Sequence, residues 1–368
     1  MKISSRKKLI ALLVLGALSY LVYRFVHAAP FNWAKIVQSV RESNPYYLGL
    51  SLFAIYGCYA LRALRWKVFQ KNLGQSRFSA IYEVTLAGFS ALLLMGRLGE
   101  PVRPILMARK EKLPVAPMFG IYALERLFDF ASMAIIAAVG LVFFLPVSRS
   151  SDNARAATTA AKSGGILLFL VVAVAIGVLV FLRVHGTSRL ERRLQGWNAA
   201  HAWRARVARI VLGFLHGVQS VRTLGELALA VIYSTAHWFL VLLVYFWVAE
   251  SFRGALGPMT LGDATLVLAF SLVGSVIQLP GVGGGSQAGS IIAYTAIFGV
   301  EREPAVAVSI VLWLITFAAC SLVGVPLLIR EGWSLGELRR MAEHEREVLE
   351  EEAVAGAKSA SGQGDSAQ

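Results

Sequence analysis

Apolar residues run along this chain in long unbroken stretches, with polar residues gathered between them. Six stretches approach the length of about 20 residues that carries a helix across a hydrocarbon core of roughly 30 Å. They are Leu9–Val26, Tyr46–Leu61, Val115–Pro146, Gly164–Leu182, Glu226–Glu250 and Pro304–Ile329. Two more apolar segments are interrupted: Phe78–Ala108 by Gly96, Gly99, Pro101 and Pro104, and Ala264–Val300 by Pro280, Gly281, Gly283, Gly284 and Gly285. Proline removes a backbone donor and glycine weakens a helix, so each interrupted segment is expected to split into half-helices. Continuous runs lack the alternation of a membrane barrel, which leaves helices as the spanning structure.

Charge decides how the interrupted segments sit. Arg62, Arg65, Lys67, Lys71 and Arg77 precede the first and Arg109, Lys110 and Lys112 follow it, so both its ends belong on the cytoplasmic side. About 30 residues is too short for two full crossings, and a re-entrant hairpin fits best. The second segment is longer, and two short crossings stay open beside the hairpin. Threading the chain this way places both termini in the cytoplasm, with the basic segment 183–222, and the inner loops hold most of the loop Lys and Arg. The order becomes span, span, hairpin, span, repeated once. Three crossings per unit turn the second unit upside down relative to the first, the inverted-repeat plan of many secondary transporters.

The expected architecture is therefore an all-α polytopic protein of the cell (inner, cytoplasmic) membrane, with about six spanning helices and two re-entrant helical hairpins. Its units are residues 1–146, an outer loop 147–163, a second repeat 164–329, and a tail 330–368. The tail opens on a short acidic helix, capped by Ser334 and Glu337, before a disordered end. The N-terminal run behind Lys2, Arg6, Lys7 and Lys8 reads as an uncleaved first helix, because His27-Ala28-Ala29 is a poor cleavage site. Ser188–Val221 interleaves arginines with Trp197, Trp203 and Phe214, as an interfacial amphipathic helix or a basic loop would.

Composition agrees. The chain has 368 residues, 57% of them hydrophobic, and its mean hydropathy of +0.62 is outside the range of a domain that must cover itself with polar surface. A net charge of +14 would suggest nucleic acid in a soluble protein. Here the basic residues flank apolar runs, so the charge is a topology signal that favours anionic lipid head groups, and nucleic acid is set aside. Cys58 and Cys320 are far apart and form no metal or redox motif.

The chemistry-bearing residues cluster at the first interruption, where Arg97, Glu100 and Arg103 fall at membrane depth. Charges there cost a few kcal/mol each, so they need partners or a purpose. The next span supplies Glu125, Arg126 and Asp129, with the two carboxylates on one face at i,i+4. The six charges sum to zero. They suit either an ion-pair network that staples the hairpin to its neighbour, or a polar cavity. In the cavity Arg97 or Arg103 would bind a lipid phosphate while Glu100, Glu125 or Asp129 exchanges partner or proton. At the second interruption Gln278, Gly281, Gly283, Gly284, Ser286 and Gln287 form a turn where Ser286 would cap the returning half-helix and point its N-terminal dipole inward. A tight turn without a ligand is the alternative. The turn lacks the Lys-Ser/Thr of a P-loop, and no motif asks for a cofactor or metal. His237, with Tyr233 one turn earlier, is expected to be a hydrogen-bonded packing residue rather than a proton relay.

Several stretches in this order resemble the lysylphosphatidylglycerol synthase transmembrane family, the flippase-like membrane domain. They are Arg62-Ala63-Leu64-Arg65-Trp66, Gly96-Arg97-Leu98-Gly99-Glu100 with Arg103, Glu125-Arg126-Leu127-Phe128-Asp129, and the turn Pro280–Gly285. The likeness covers roughly Leu9 to Ile329 and adds Arg62 to the candidate site. It implies lipid translocation, or an accessory or enzymatic role in envelope, polyprenyl or hopanoid-type lipid metabolism. The implied partners are membrane lipids with anionic head groups, a second copy of the chain, or envelope-lipid enzymes. The full synthases carry a large soluble aminoacyl-transferase domain after the membrane part. About forty residues stand there in this chain, so a transporter rather than an aminoacylating enzyme is expected. Family members often place a glutamate just after the Pro-Gly turn, where this chain has Gln287, which weakens any proton-coupled role for that hairpin.

Overall fold

The computed structural model describes residues 32–144, 223–275, 278–279 and 283–331, with isolated positions between 163 and 174. The expected spans Leu9–Val26 and Gly164–Leu182, the basic segment 183–222 and the capped acidic tail lie outside the described residues, as do Gly281 and the side chains of Arg97 and Gln278.

The first described half comprises α1 (Trp33–Arg41), α2 (Pro45–Gln70), α3 (Phe78–Met95), a 3₁₀ turn (Gly96–Gly99), α4 (Val102–Lys110) and α5 (Val115–Val139), which runs into a π turn at Gly140–Phe144. The second comprises α6 (Leu224–Ser251), the short α7 (Arg253–Leu256), α8 (Leu261–Gly274) and the two-residue strands β1 (Gln278–Leu279) and β2 (Gly283–Gly284). After them come α9 (Gly285–Ile292), α10 (Arg302–Trp313) and α11 (Ala319–Arg330), with π turns at Ala293–Ile297 and Leu314–Ala318. Helix starts follow their local chemistry. Asn44 accepts from the Tyr46 amide ahead of a proline at the first turn of α2, and Thr223 with Glu226, and Thr260 with Asp263, form reciprocal capping boxes on α6 and α8.

The protein is an all-α polytopic membrane protein. Among the described residues five helical stretches are long and apolar enough to cross a bilayer: Pro45–Gln70, Phe78–Met95, Pro117–Phe144, Leu224–Ser251 and Arg302–Arg330. Phe78–Met95 belongs to the first interrupted segment, so one arm of that hairpin already has the length of a span. Large apolar side chains such as Phe53, Phe143 and Leu322 are more than two-thirds exposed, as lipid-facing positions are.

Both interrupted segments fold back on themselves at their breakers. Gly96 ends α3 at φ +62, and α4 returns along α3 so closely that a Cβ on Gly88 would come within 2.6 Å of the Arg103 Cβ. The second segment turns through the antiparallel pairs Gln278–Gly284 and Leu279–Gly283. There α9 lies on α8 with Gly289 against the Phe270 carbonyl.

Three antiparallel contacts join the halves. Helix α2 lies along α6 from Asn44, whose amide donates to the Ser251 carbonyl at 2.8 Å, to Lys71, whose ammonium is 3.4 Å from Glu226. Helix α3 lies along α11, from the Glu83–Arg330 ion pair to Ser90 against the Cys320 carbonyl and Gly324. Helix α8 lies along the end of α5, with Gly140 against Ala269 and Gly262 against Phe144. Exchanging the halves returns the α2–α6 pairing to itself and interchanges the other two, which is what a two-fold between inverted halves requires.

Candidate functional site

The hydropathy pattern ends the second span near Leu61 and assigns Arg62 and Arg65 to an inner loop. The structure corrects this: α2 continues to Gln70 and buries both arginines. The helix extends because its charges have partners inside the protein. Residues 62, 65 and 66 share one face at i, i+3 and i+4. That face meets the face of α5 that carries Glu125 and Asp129.

The result is a charge network almost sealed from the exterior, with Arg65 and Glu125 each 1% exposed. Arg62 Nη1 donates to Asp129 Oδ2 at 2.6 Å and to Glu125 Oε1 at 3.2 Å. Arg65 Nη2 donates to Asp129 Oδ1 at 2.8 Å and to Glu125 Oε1 at 3.1 Å, while its Nη1 donates to Ser234 Oγ on α6 at 2.9 Å. From α4, Arg103 Nη1 reaches Glu125 Oε2 at 2.6 Å and Nη2 reaches Thr85 Oγ1 on α3 at 3.1 Å. The Trp66 indole N–H also donates to Glu125. Arg103 stacks on Trp66 with its Cζ 4.4 Å from the ring centroid, and Arg62 lies 5.1 Å over Phe89. Thus α2, α3, α4, α5 and α6 converge on two carboxylates, and Gly88 lets Arg103 enter.

Three buried guanidiniums face two buried carboxylates, so this inner network carries a net positive charge. Its hydrogen-bond accounting is also incomplete: Arg103 Nε and Arg65 Nε are buried with no acceptor, and a buried donor without a partner costs about 1–3 kcal/mol.

Next to the network is a small cleft between the first hairpin and α5. Gly88, Phe89 and Leu92 of α3 form one wall, Tyr122 and Arg126 of α5 the other, and Glu100 and Arg103 complete it. Arg126 donates through Nε to Tyr122 Oη at 2.8 Å and lies 4.9 Å over that ring. Its only hydrogen bond is to that tyrosine, and among the described residues no carboxylate comes within ion-pair distance of it. Glu100 likewise makes no hydrogen bond or ion pair among the described residues.

The structure thus brings Arg62, Arg103, Glu125 and Asp129 into one network and sets Glu100 and Arg126 at the adjoining cleft. The sequence-derived set lacked Arg65, Trp66, Thr85, Tyr122 and Ser234. The spacing of Arg62, Arg65 and Trp66 was the available signal for the first two, whereas Thr85, Tyr122 and Ser234 carry none that separates them from other apolar-run hydroxyls.

The second turn meets the tip of the first hairpin, with β1 against the Gly96–Gly99 turn, but none of its described residues lines the cleft. Gln278 and Gly284 pair across the small ladder, as do Leu279 and Gly283. Ser286 is not the expected cap: α9 starts at Gly285, and Gln287 Oε1 accepts from the Gly284 amide at 3.2 Å. Gly284 at φ +114 provides the reversal that brings the chain into the helix, so the amide of Gln287 is used locally. His237 is buried with Nδ1 3.3 Å from the Cys58 carbonyl oxygen, and Nε2 has no partner. Among the described residues no three His, Cys, Asp or Glu side chains are grouped to hold a metal.

Comparison with known proteins matches residues 8–324 to the family described as the lysylphosphatidylglycerol synthase TM region. A UPF0104 membrane protein from Methanothermobacter thermautotrophicus (strain Delta H) is 23% identical over 324 residues, covering 82% of this chain and 90% of its own length. No solved structure gives a significant match.

Proposed function

We propose, from the premise that this chain belongs to the lysylphosphatidylglycerol synthase transmembrane-region family, that it is a lipid transporter of the flippase type. It moves a phospholipid, or another lipid with an anionic head group, between leaflets, and it is not an enzyme. The carrying observation is the cleft where, among the described residues, no carboxylate comes within ion-pair distance of Arg126 and Arg103 backs the wall with an unfilled Nε donor. Guanidinium forks bind phosphate oxygens in pairs, and a net-positive network behind the wall adds attraction that water does not screen. Reciprocal pairing of the two halves supports alternating access, in which one hairpin-bearing unit rocks against the other. The protein works in the cytoplasmic membrane with both termini inside, and its hairpins re-enter from opposite sides.

The test is reconstitution in liposomes that carry labelled phospholipids and polyprenyl phosphates, with leaflet exchange and lipid chemistry followed together. Exchange without any new lipid species is expected. Arg126→Gln lowers the rate about tenfold, the loss of one charge-assisted hydrogen bond, with insertion unchanged. A new lipid product would assign the site to an enzyme, and exchange no faster than in protein-free liposomes would end the transport reading.

A further inference from the structure

The cleft is not uniformly cationic. Arg103 spends Nη1 on Glu125 and Nη2 on Thr85, which leaves Arg126 as the cleft cation with no carboxylate at ion-pair distance among the described residues. On the other side of the balance stands Glu100, whose carboxylate makes neither ion pair nor hydrogen bond among the described residues. One cation and one anion line the same cleft and feel each other's charge, but stand beyond ion-pair distance. A head group that is only anionic satisfies Arg126 and at the same time brings its charge against Glu100, and like charges in a poorly hydrated space repel strongly. A head group that carries one charge of each sign satisfies both.

Resting on the reading of this cleft as a head-group site, we propose that it takes a zwitterionic head group: one phosphodiester anion joined by a short linker to one primary ammonium. The phosphate lies against Arg126 with Arg103 behind it, and the ammonium against Glu100. The cleft is small and partly open, so only a compact charged group can lie in it, not an oligosaccharide. The stoichiometry is specific. With a single carboxylate in the cleft that is unpaired among the described residues, a lysyl ester with its two ammonium groups leaves one of them unmatched, so the lipid in the family's name is not the best fit for this chain.

The experiment compares lipids that differ only in charge: phosphatidylethanolamine, its N-acetyl derivative, phosphatidylglycerol and lysylphosphatidylglycerol. Leaflet exchange is measured in proteoliposomes, and lipid retention by native mass spectrometry of the purified protein. Wild type is expected to favour phosphatidylethanolamine over the N-acetyl lipid about tenfold, the worth of one charge-assisted contact, and to retain lysylphosphatidylglycerol no better than phosphatidylethanolamine. In Glu100→Gln the ratio falls to near one. Equal retention of the ethanolamine and N-acetyl lipids by wild type, a tenfold ratio kept in Glu100→Gln, or preference for the lysyl lipid each overturns the proposal. If no lipid exchanges, the transport reading fails, and the retention ratios alone decide this inference. A matched arm with soluble phosphoethanolamine separates the sources: retention of the soluble compound with no retention of lipid assigns the cleft to a free metabolite and overturns the lipid assignment.

Discussion

Glu125 concentrates more donors than any other side chain of the network: Arg62, Arg65, Arg103 and Trp66 all give it hydrogen bonds. Removing one partner of a buried ion pair leaves an uncompensated charge and costs about 3–5 kcal/mol. Glu125→Ala should therefore destabilise the protein by at least that amount, read as a lowered midpoint of thermal unfolding in detergent. Arg126 has a single hydrogen bond, to Tyr122, and faces a cleft. Its substitution should leave the midpoint within a degree or two while it slows transport. These two residues occupy adjacent sequence positions, which makes the contrast a clean separation of a charge inside the network from one at the cleft. Sequence alone grouped them as equals, because a run of Glu-Arg-Leu-Phe-Asp shows which charges share a helix and not which of them the neighbouring helices satisfy.

Packing at the scale of elements depends on close backbone approach rather than on surface ion pairs. Gly324 lets α11 lie directly on Ser90 and the Leu86 carbonyl of α3. Gly324→Val has no space for its side chain and should cost about 1–3 kcal/mol, the range for overpacked sites, checked by the same unfolding measurement. At one end of that same helix pair, Lys110 bridges Glu83 at 2.7 Å and Glu331 at 2.6 Å, and all three are partly exposed. Ion pairs of this kind contribute about 0–1 kcal/mol, so Lys110→Ala should hardly move the midpoint. The two turns were legible in the sequence because glycine and proline mark where a helix cannot continue. The C-terminal third of α2 was not, since a rule that counts basic residues sends Arg62 and Arg65 to a loop. Only the carboxylates 60 residues later explain why they stay in the helix. Helix α9 misled in another way: Ser286 has the chemistry of a cap, but the turn geometry hands that task to Gln287.

For the whole molecule, the two halves share a plan and differ in chemistry. Hydropathy and breakers predict a repeated order of elements, and among the described residues the pairings α2 with α6, α3 with α11 and α8 with α5 are consistent with it. Among the described residues the buried arginine–carboxylate network lies in the first half. Where the first half buries arginines and carboxylates between its hairpin and neighbours, the second buries hydroxyls, with Tyr245 bonded to Ser271 at 2.8 Å and Ser290 to Ser309 at 2.9 Å. On the proposed transport reading, the ligand is held on the half with the charge network and the other half is mainly the moving wall. An inverted arrangement would put Gln75, ahead of the first hairpin, and Pro258, ahead of the second, on opposite faces of the membrane, so a cysteine at each, labelled by an impermeant reagent, should react from opposite sides. Labelling of both from one side would refute the inverted arrangement.

The central claim is that a lipid head group occupies the cleft between α3 and α5, and site-specific photocrosslinking tests it most directly. A photoreactive residue in place of Leu92, which lines the cleft, is compared in native membranes with one in place of Phe53, which is 79% exposed on the outer face of α2. Position 92 is predicted to capture phospholipid through its head group, with capture lost on Arg126→Gln, while position 53 captures acyl chains whatever stands at 126. Head-group adducts absent at position 92, or unchanged by Arg126→Gln, would contradict the account.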